Sequence, residues 1–341
     1  MTTNLELTRS QILAFRRHIA ALDERLPSGT PALHRAAWAG LQDSMPRAAL
    51  LSIHARMADT QPQSWEDSSL IQIWGPRYNT YVVDKRDFAI FTLSRLPEEN
   101  KPLKRAQDIA ARLSAALAGS RMPQREAARA MGARHANQLR YAAPTGTVVI
   151  RWDGAHQPDI WNMPVPEMEP YEALLELARR YLHVFGPATP EAFAQWAGIR
   201  SASGITAFGA LGKSLTPVRT PIGEAWILSQ DVPLFSEVTR PAAPARLLPS
   251  GDTWFLLQGA DRELLVPNEQ NRRALWPSRV WPGALVVEGE TVGTWRRAKH
   301  VLTIQSWIRL SRAQRDAVEA EAGSLPLPGI NRPMDIRWTS G

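Results

Sequence analysis

The chain has 341 residues, of which 44% are hydrophobic, and it carries a formal net charge of +7 with no cysteine. A chain of this length and composition buries a substantial core and is expected to form two or three structural units rather than a disordered polymer. The lack of cysteine excludes disulfides, a thiolate nucleophile and cysteine-based zinc sites, and it fits a reducing cytoplasm.

The first hundred residues predict three helices followed by two strands. Apolar residues recur at helical spacing in the helices, and Gly75 and Pro76 separate the two strands. The helices are predicted at 8–26, 30–39 and 46–58, and the strands at 70–75 and 78–83. Three helices followed by a hairpin is the order of a winged helix-turn-helix unit.

The same order recurs twice further along the chain. The second set comprises helices at 104–117, 123–132 and 134–143 with strands at 147–152 and 158–164. The third comprises helices at 170–186, 187–199 and 201–213 with strands at 215–220 and 224–229. Thr189 and Pro190 mark one helix start, because threonine is a good N-cap and proline suits the first helical position. Three units of roughly 60 to 95 residues indicate internal repetition of one fold.

The remainder of the chain differs from these units. A linker rich in proline and alanine is predicted at 240–250, followed by a strand-like segment at 253–258, a hairpin at 284–297, a strand at 299–308 and a helix at 311–322. We therefore expect units at 1–100, 101–166, 167–239 and 240–330, with a loosely ordered tail at 331–341.

The charge balance favours a polyanionic partner. Lysine occurs only five times among 40 basic residues, so arginine dominates, and arginine suits bidentate phosphate contacts. Many basic proteins bind no polyanion, however, and a GC-rich genome enriches arginine without functional meaning. Charge alone therefore leaves nucleic-acid binding open.

Other classes of partner find no support in the sequence. The N-terminal residues do not resemble a signal peptide, and no run of about eighteen apolar residues predicts a membrane span. The seven histidines show no close paired spacing of the kind that metal-binding helices use. We therefore expect a cytoplasmic protein with no metal, no cofactor and no membrane contact.

Gln42, Asp43 and Ser44 place a carboxamide, a carboxylate and a hydroxyl side by side just before the third predicted helix. Capping explains part of this pattern, because Asp and Ser are common caps and Pro46 suits a first helical turn. Glutamine is no special helix starter. The alternative is that these side chains hold a water molecule for chemistry.

Four stretches together resemble the winged-helix DNA glycosylases of the AlkZ and YcaQ type: 40–56, 185–199, 262–267 and 284–295. The resemblance covers nearly the whole chain and rests on the order and spacing of these stretches. It implies an α+β fold of tandem winged helix-turn-helix units with a C-terminal β-rich, barrel-like unit. It also implies binding of damaged double-stranded DNA, and either removal of alkylated bases or unhooking of interstrand crosslinks, in some members as self-protection against a genotoxin.

The catalytic signature of that family is glutamine, an apolar residue, then glutamine or aspartate. Aligned through the residues that follow, its first position falls on Gln42 and its last on Ser44, while Asp43 stands in the apolar slot. In the first wing Arg77 matches the family, whereas Tyr81 replaces a common histidine. The resemblance thus implies that Gln42 and Ser44 hold water, with Asp43 as a further catalytic candidate.

The residues are chemically suited to part of this task. Cleavage of an N-glycosidic bond passes through an oxocarbenium-like sugar, and a base alkylated at N7 or N3 is already cationic and needs little acid assistance. Gln42 can accept a hydrogen bond from water, Ser44 is a shorter ligand, and Asp43 offers a carboxylate only if it turns inward. No lysine is near the motif, so we expect a monofunctional enzyme without a Schiff-base step.

The candidate DNA contacts are basic side chains of the wings and helices and two aromatic rings. They are Arg77, Tyr81, Trp38, Arg134, Arg140, Arg296, Arg297 and Lys299. The altered catalytic motif keeps a second function open, that of a non-catalytic winged-helix DNA-binding or regulatory protein. A regulator usually carries a dimerising helix, and no long heptad segment is present, so we expect a monomer.

Overall fold

The computed structural model describes residues 5–237, 241–329 and 333–340. Within them the chain is a mixed α+β protein with three β-sheets of three, five and six strands. None of the described helices combines the length and the apolar character needed to cross a bilayer.

The first predicted unit contains the three helices and the hairpin, with additional short elements. Its elements are β1 (Leu5–Glu6), α1 (Arg9–Ile19), α2 (Thr30–Ala36), β2 (Leu41–Gln42), α3 (Ala48–Arg56), β3 (Leu70–Trp74), β4 (Thr80–Asp84) and α4 (Phe88–Leu93). All nine residues of α3 are buried, which makes this helix a central support rather than a surface element. The three helices are shorter than predicted, and the residues between them form turns.

The second predicted unit is continuous with the first through one sheet. Its elements are α5 (Asn100–Leu117), β5 (Met122–Pro123), α6 (Gln124–Ala130), β6 (Val148–Arg151) and β7 (Asp159–Asn162). The six-stranded sheet runs β2-β4-β3-β6-β7-β5, and Gln72 of β3 pairs with Ile150 of β6. The third helix predicted here is instead a 3-10 helix over Ala136–Thr145, which contains Pro144 and therefore cannot hold a regular α-helical ladder.

The third predicted unit has the expected order of elements. It comprises α7 (Pro170–Phe185), α8 (Pro190–Ala197), α9 (Ser201–Leu211), β8 (Leu215–Thr220), β9 (Gly223–Leu228) and a short α10 (Leu234–Glu237). The predicted helix start is confirmed, because Thr189 accepts a hydrogen bond from the Ala192 amide ahead of Pro190. Strand β1 pairs parallel with β8 and completes the three-stranded sheet β1-β8-β9. Ile12 and Phe15 of α1 pack into the core beneath this sheet, so the N-terminal elements support it.

The C-terminal region corrects three predictions. Its elements are β10 (Ala245–Leu248), α11 (Asp261–Leu265), α12 (Glu269–Leu275), β11 (Gly283–Val287), β12 (Glu290–Ala298), β13 (Val301–Ser306), α13 (Arg312–Gly323) and β14 (Asp335–Ser340). The predicted linker contains the buried strand β10, whereas the strand predicted at 253–258 begins as a 3-10 helix over Thr253–Phe255. The tail expected to be loosely ordered forms β14, which pairs parallel with β13.

The five strands of this region follow the order β10-β11-β12-β13-β14 and form an open sheet over the described residues, not the barrel that was expected. A buried apolar layer that includes Leu247, Leu285, Leu302 and Val318 joins one face of the sheet to α13. One helix packed on one face covers the apolar side of this mostly antiparallel sheet, so closure is unnecessary.

Candidate active site

Gln42 lies at the end of β2, opposite Tyr81 of β4 in an antiparallel pair. The Asp43 amide continues this pairing by donating to the Thr80 carbonyl at 2.7 Å. The prediction that these residues begin a helix is therefore wrong. Helix α3 starts only at Ala48, after a turn in which Arg47 takes a left-handed backbone with φ of 68°.

Gln42 and Ser44 both line a cleft with a volume of about 330 Å³, within the range of ~300 to 1,000 Å³ usual for small-ligand clefts. The other lining residues are Met45, Arg77, Asn79, Ser250, Leu256, Arg279, Val280 and Trp281. The Gln42 Oε1 and Ser44 Oγ atoms are buried and have no hydrogen-bond partner among the described residues. Because an unsatisfied buried acceptor costs about 1–3 kcal/mol, both atoms favour a donor that enters the cleft.

Asp43 is turned away from that cleft. Its carboxyl group is buried, with Oδ1 accepting from the Ala49 amide at 3.0 Å and Oδ2 accepting from Gln72 Nε2 at 2.6 Å. Burial raises the pKa of this carboxyl to about 7, although both hydrogen bonds act in the opposite direction. Asp43 thus caps the first turn of α3 from outside the helix, and its position conflicts with the expectation of a catalytic carboxylate.

Gln72 connects the motif to the second hairpin. Its Oε1 accepts from the Trp152 amide at 2.6 Å, and its Nε2 donates to the Trp152 carbonyl at 3.2 Å as well as to Asp43. Next to this link, a Cβ on Gly154 would lie 2.7 Å from Pro46 Cβ, so the hairpin loop packs directly on the turn before α3. The second hairpin therefore supports the Gln42–Ser44 segment.

Arg77 is on the cleft wall, and Tyr81 lies behind it. Arg77 is half-buried and its Nε has no hydrogen-bond partner among the described residues. Tyr81 is fully buried, its ring packing so closely on Gly40 and Gly75 that a Cβ at either would meet it at 3.0 or 2.8 Å. Burial raises the pKa of the tyrosine hydroxyl to about 12. Direct contact of Tyr81 with DNA is therefore contradicted by its burial, whereas Arg77 faces the cleft.

Two of the other predicted DNA contacts belong to different surfaces. Trp38 lines a separate cavity, and the Arg180 guanidinium stacks over its ring at 4.1 Å. Arg134 is exposed in an open, polar groove that also contains Arg125 and Arg129. Neither residue shares the Gln42 cleft.

The remaining predicted contacts are divided between the core and the C-terminal hairpin. Arg140 is half-buried with its guanidinium 6.0 Å from the centre of the Trp74 ring, and burial lowers its pKa. Arg296 donates to the Val280 carbonyl at 2.9 Å, which ties the hairpin to a loop of the cleft. Arg297 donates to the carbonyl of exposed Lys299 at 2.8 Å. Of these three arginines, Arg296 is the one that hydrogen-bonds to a residue lining the cleft, Val280.

One histidine and two aspartates come together outside the cleft. Ligand atoms of His34, Asp84 and Asp87 lie within 4.8 Å of one another. Both carboxylates are already paired with guanidinium groups, Asp84 with Arg86 at 2.9 Å and Asp87 with Arg180 at 2.6 Å. The cluster is therefore an ion-pair network that joins α2, β4 and α7, in which the arginines supply the charge that a cation would bring.

The family model for DNA glycosylase AlkZ-like proteins matches residues 36–326, which include every residue that lines the cleft. The chain belongs to the AlkZ-like DNA glycosylase family.

This AlkZ-like chain resembles known Streptomyces sahachiroi glycosylases both in sequence and in structure. An interstrand DNA cross-link repair glycosylase is 27% identical over 206 residues, which cover 59% of this chain and 52% of the relative, about half of its length. The solved structure of DNA glycosylase AlkZ superimposes with a TM-score of 0.81 at 19% identity, covering 98% of this chain and 100% of that structure. This second likeness shows that the two proteins share a fold.

The far wall of the cleft in this AlkZ-like chain is not predicted by the sequence. Ser250, Arg279 and Trp281 face Gln42 from the C-terminal region, more than two hundred residues away along the chain. The only local signal is the segment 277-PSRVWPG-283, which combines prolines, a glycine, an arginine and a tryptophan between a helix and a hairpin. Such a segment predicts an ordered loop but not its partner.

Proposed function

We propose that this chain is a monofunctional DNA glycosylase that hydrolyses the N-glycosidic bond of alkylated bases in duplex DNA and unhooks interstrand crosslinks. The observation that carries the proposal is the pair of buried, unpartnered acceptors, Gln42 Oε1 and Ser44 Oγ, on one wall of a cleft that also contains Arg77 and Arg279. The name of the cross-link repair relative supports the same substrate class.

In this mechanism the Gln42 carboxamide accepts a hydrogen bond from the attacking water, and the Ser44 hydroxyl provides a second contact. A neutral carboxamide orients water beside a growing positive charge on the sugar without forming a tight ion pair. A base alkylated at N7 or N3 leaves as a neutral molecule, so no acid is required. Asp43 contributes by holding the turn before α3, and no lysine is among the described residues that line the cleft.

The three helix-and-hairpin units are proposed to act as tandem winged helices on damaged double-stranded DNA, with the protein working as a monomer. Arg77 and exposed Arg279, which both line the cleft, are proposed to contact the phosphates that flank the target nucleotide. Arg296, which is bonded to the Val280 carbonyl, extends this basic surface along the C-terminal hairpin. Arg134 and the neighbouring arginines of its groove form a second basic surface for the same duplex.

The test is single-turnover release of a cationic N7-alkylated guanine from duplex DNA by the wild type and by Gln42→Ala. Because the glutamine acts on the transition state and not on phosphate anchoring, the variant should lose excision by about 100-fold or more and keep its duplex affinity within about threefold. Gln63→Ala, which removes an exposed glutamine outside the cleft, is the matched control and should behave as wild type.

One observation favours a second function, that of a DNA-binding protein without catalysis: Ser44 is shorter than the glutamine or aspartate of the family signature. The same assay separates the two. A wild type that binds duplex DNA but releases no base above the spontaneous rate, across several alkylated substrates, would replace the glycosylase by the binding protein.

A further inference from the structure

The turn over 249–252 lies directly against the side chain of Gln42. Gly251 in this turn has a φ of +80°, and a Cβ built on it would lie 3.0 Å from Gln42 Nε2 and 3.1 Å from Gln42 Cδ. These distances are shorter than nine in ten real Cβ contacts, so the carboxamide would have to shift by a few tenths of an ångström. The backbone of Gly251 is therefore the surface on which the Gln42 carboxamide rests.

A buried ion pair holds this turn in place. Asp252 accepts through Oδ1 from Arg56 Nη2 at 2.7 Å, and through Oδ2 from Arg56 Nη1 at 2.8 Å and from Ser52 Oγ at 2.6 Å. Both side chains of the ion pair are almost fully buried, with exposures of 2% and 0%. Because a broken buried pair leaves an uncompensated charge, the position of the turn is fixed strongly.

Ser52 and Arg56 belong to α3, the same helix whose first turn is bonded to Asp43. One rigid, buried helix thus holds the Gln42 segment at its N-terminal end and the Gly251 turn at its C-terminal half. The distance between the carboxamide and the turn is consequently set by α3, although Gln42 and Gly251 are far apart in sequence.

We propose that Gly251 is a positioning residue for catalysis: its bare α-carbon, held by Asp252 and α3, fixes the Gln42 carboxamide at the wall of the cleft, where its Oε1 has no partner among the described residues. This inference rests on the proposed function, in which Gln42 orients water. Gly251 does not itself contact the reacting atoms. A side chain at position 251 displaces the carboxamide and leaves the phosphate-binding arginines untouched.

The decisive variant is Gly251→Ala, and the chain provides a close control. Gly119 has nearly the same backbone, with a φ of +78°, but a Cβ there meets nothing within 4 Å. Gly119→Ala therefore imposes the same left-handed strain, about 1 kcal/mol, without steric contact. Any difference between the two variants reports the contact with Gln42.

We expect Gly251→Ala to slow single-turnover excision severalfold, because the carboxamide must shift by a few tenths of an ångström and a 1 Å misplacement costs about 100-fold, with duplex affinity within about threefold of Gly119→Ala. The control should excise at nearly the wild-type rate. A Gly251→Ala rate within twofold of the control, or a parallel loss of rate and affinity, overturns the proposal.

A second readout does not depend on activity. The side-chain amide resonance of Gln42, assigned by its loss in Gln42→Ala, should shift in Gly251→Ala and stay in place in Gly119→Ala. An unchanged resonance overturns the positioning role. If the wild type excises no base while the resonance still moves, the proposed function fails but the contact stands.

Should Gly251→Ala fail to fold, Ser52→Ala provides the same test. It removes one hydrogen bond to Asp252 and leaves both Arg56 contacts, so the turn loosens without a new side chain. We expect it to broaden or shift the Gln42 resonance and to lower the excision rate severalfold at constant duplex affinity. A wild-type resonance and rate in this variant contradict the proposal.

Discussion

At the scale of single residues, Asp43 shows how a carboxylate beside a reactive side chain acquires a structural task. As an outside cap for α3 it could be replaced by asparagine, which caps about as well. The Asp43 Oδ2 atom changes this expectation, because it accepts a hydrogen bond from Gln72 Nε2. The Gln72 carboxamide cannot rotate to present its oxygen to position 43, because Gln72 Oε1 accepts from the Trp152 amide. The site therefore requires acceptors at both oxygens.

Asp43→Asn should accordingly destabilise the protein by about 1–3 kcal/mol, the cost of a buried donor that faces another donor. Adding Gln72→Glu should restore part of the loss, since the new carboxylate accepts from the side-chain amide introduced at position 43 and from the Trp152 backbone amide but loses the donation to the Trp152 carbonyl. Urea unfolding of the two single variants and the double variant tests this. Additive losses in the double variant would contradict the proposed geometry.

The same carboxyl predicts a particular dependence of stability on pH. Its pKa is raised to about 7 in the folded chain by burial, whereas an unfolded aspartate titrates near 4. Between these values only the folded state holds the proton, so the contribution of Asp43 to the free energy of unfolding falls as the pH rises, by at most about 1.4 kcal/mol per pH unit.

The difference in unfolding free energy between wild type and Asp43→Asn should therefore shrink from pH 4.5 to pH 7 and then level off. Comparison with the variant cancels other groups, such as His54, whose pKa burial lowers to about 4. A difference that grows with pH over this interval is the result that this account does not allow.

Ser44 is the other residue at which the chain departs from the family signature. Ser44→Ala removes the second contact to water, so excision should fall about tenfold, the value of one ordinary hydrogen bond. Ser44→Gln restores the longer carboxamide, which can extend into the cleft, and should raise excision above wild type. Single-turnover rates on an N7-alkylated duplex measure both changes, and equal rates in all three proteins would exclude Ser44 as a ligand of water.

At the scale of elements, the buried ion pair between Arg56 and Asp252 fixes the position of α3 more than helix propensity does. Arg56→Met leaves Asp252 without its partner, which should cost about 3–5 kcal/mol. Arg86→Met breaks a pair with Asp84 in which the arginine is 66% exposed, so it should cost much less than Arg56→Met. Chemical unfolding compares the two variants, and similar losses would mean that burial does not govern the strength of these pairs.

The sequence predicted those elements whose signals are local. Thr189 and Pro190 mark a helix start by their own chemistry, and the glycine turn at 288–290 marks a hairpin, so both were predictable. Strand β10 was not, because the prolines and alanines around it suggest a linker and only its burial reveals a strand. A two-residue strand such as β2 has no periodicity to read, so Gln42 was assigned to a helix start.

The residues of the candidate site also differ in whether a local sequence signal predicts them. Gln42 and Ser44 could be found because they stand together in a recognisable motif. Tyr81 was misassigned because nothing in a strand sequence distinguishes a residue packed on two glycines from one that faces a ligand. Gly251 and Trp281 could not be found, since their proximity to Gln42 arises only from the tertiary fold.

At the scale of the whole molecule, the six-stranded sheet makes the first two units one body, and the basic surfaces are distributed around it. The net charge of +7 predicts duplex binding that weakens steeply between about 50 and 200 mM salt. Arg134→Gln should reduce the slope of log affinity against log salt by about one if the exposed Arg134 contacts a phosphate.

Arg273→Gln serves as its control, because this arginine is also exposed but is already paired with Glu269. Fluorescence anisotropy over a salt series measures both slopes. A flat salt dependence in the wild type would remove the duplex from the proposed function, and equal slopes for the two variants would remove Arg134 from the contact surface.

Helix α3 holds the Gln42 segment against the Gly251 turn, and this contact can form only late in synthesis of the chain. The Gln42–Ser44 segment is synthesised well before Gly251, yet the wall against which Gln42 rests is made only after Gly251 has been translated. Nascent chains and products of premature termination before residue 249 would carry the complete motif without an assembled cleft. Under the proposed function, base excision would thus begin only after the C-terminal region folds.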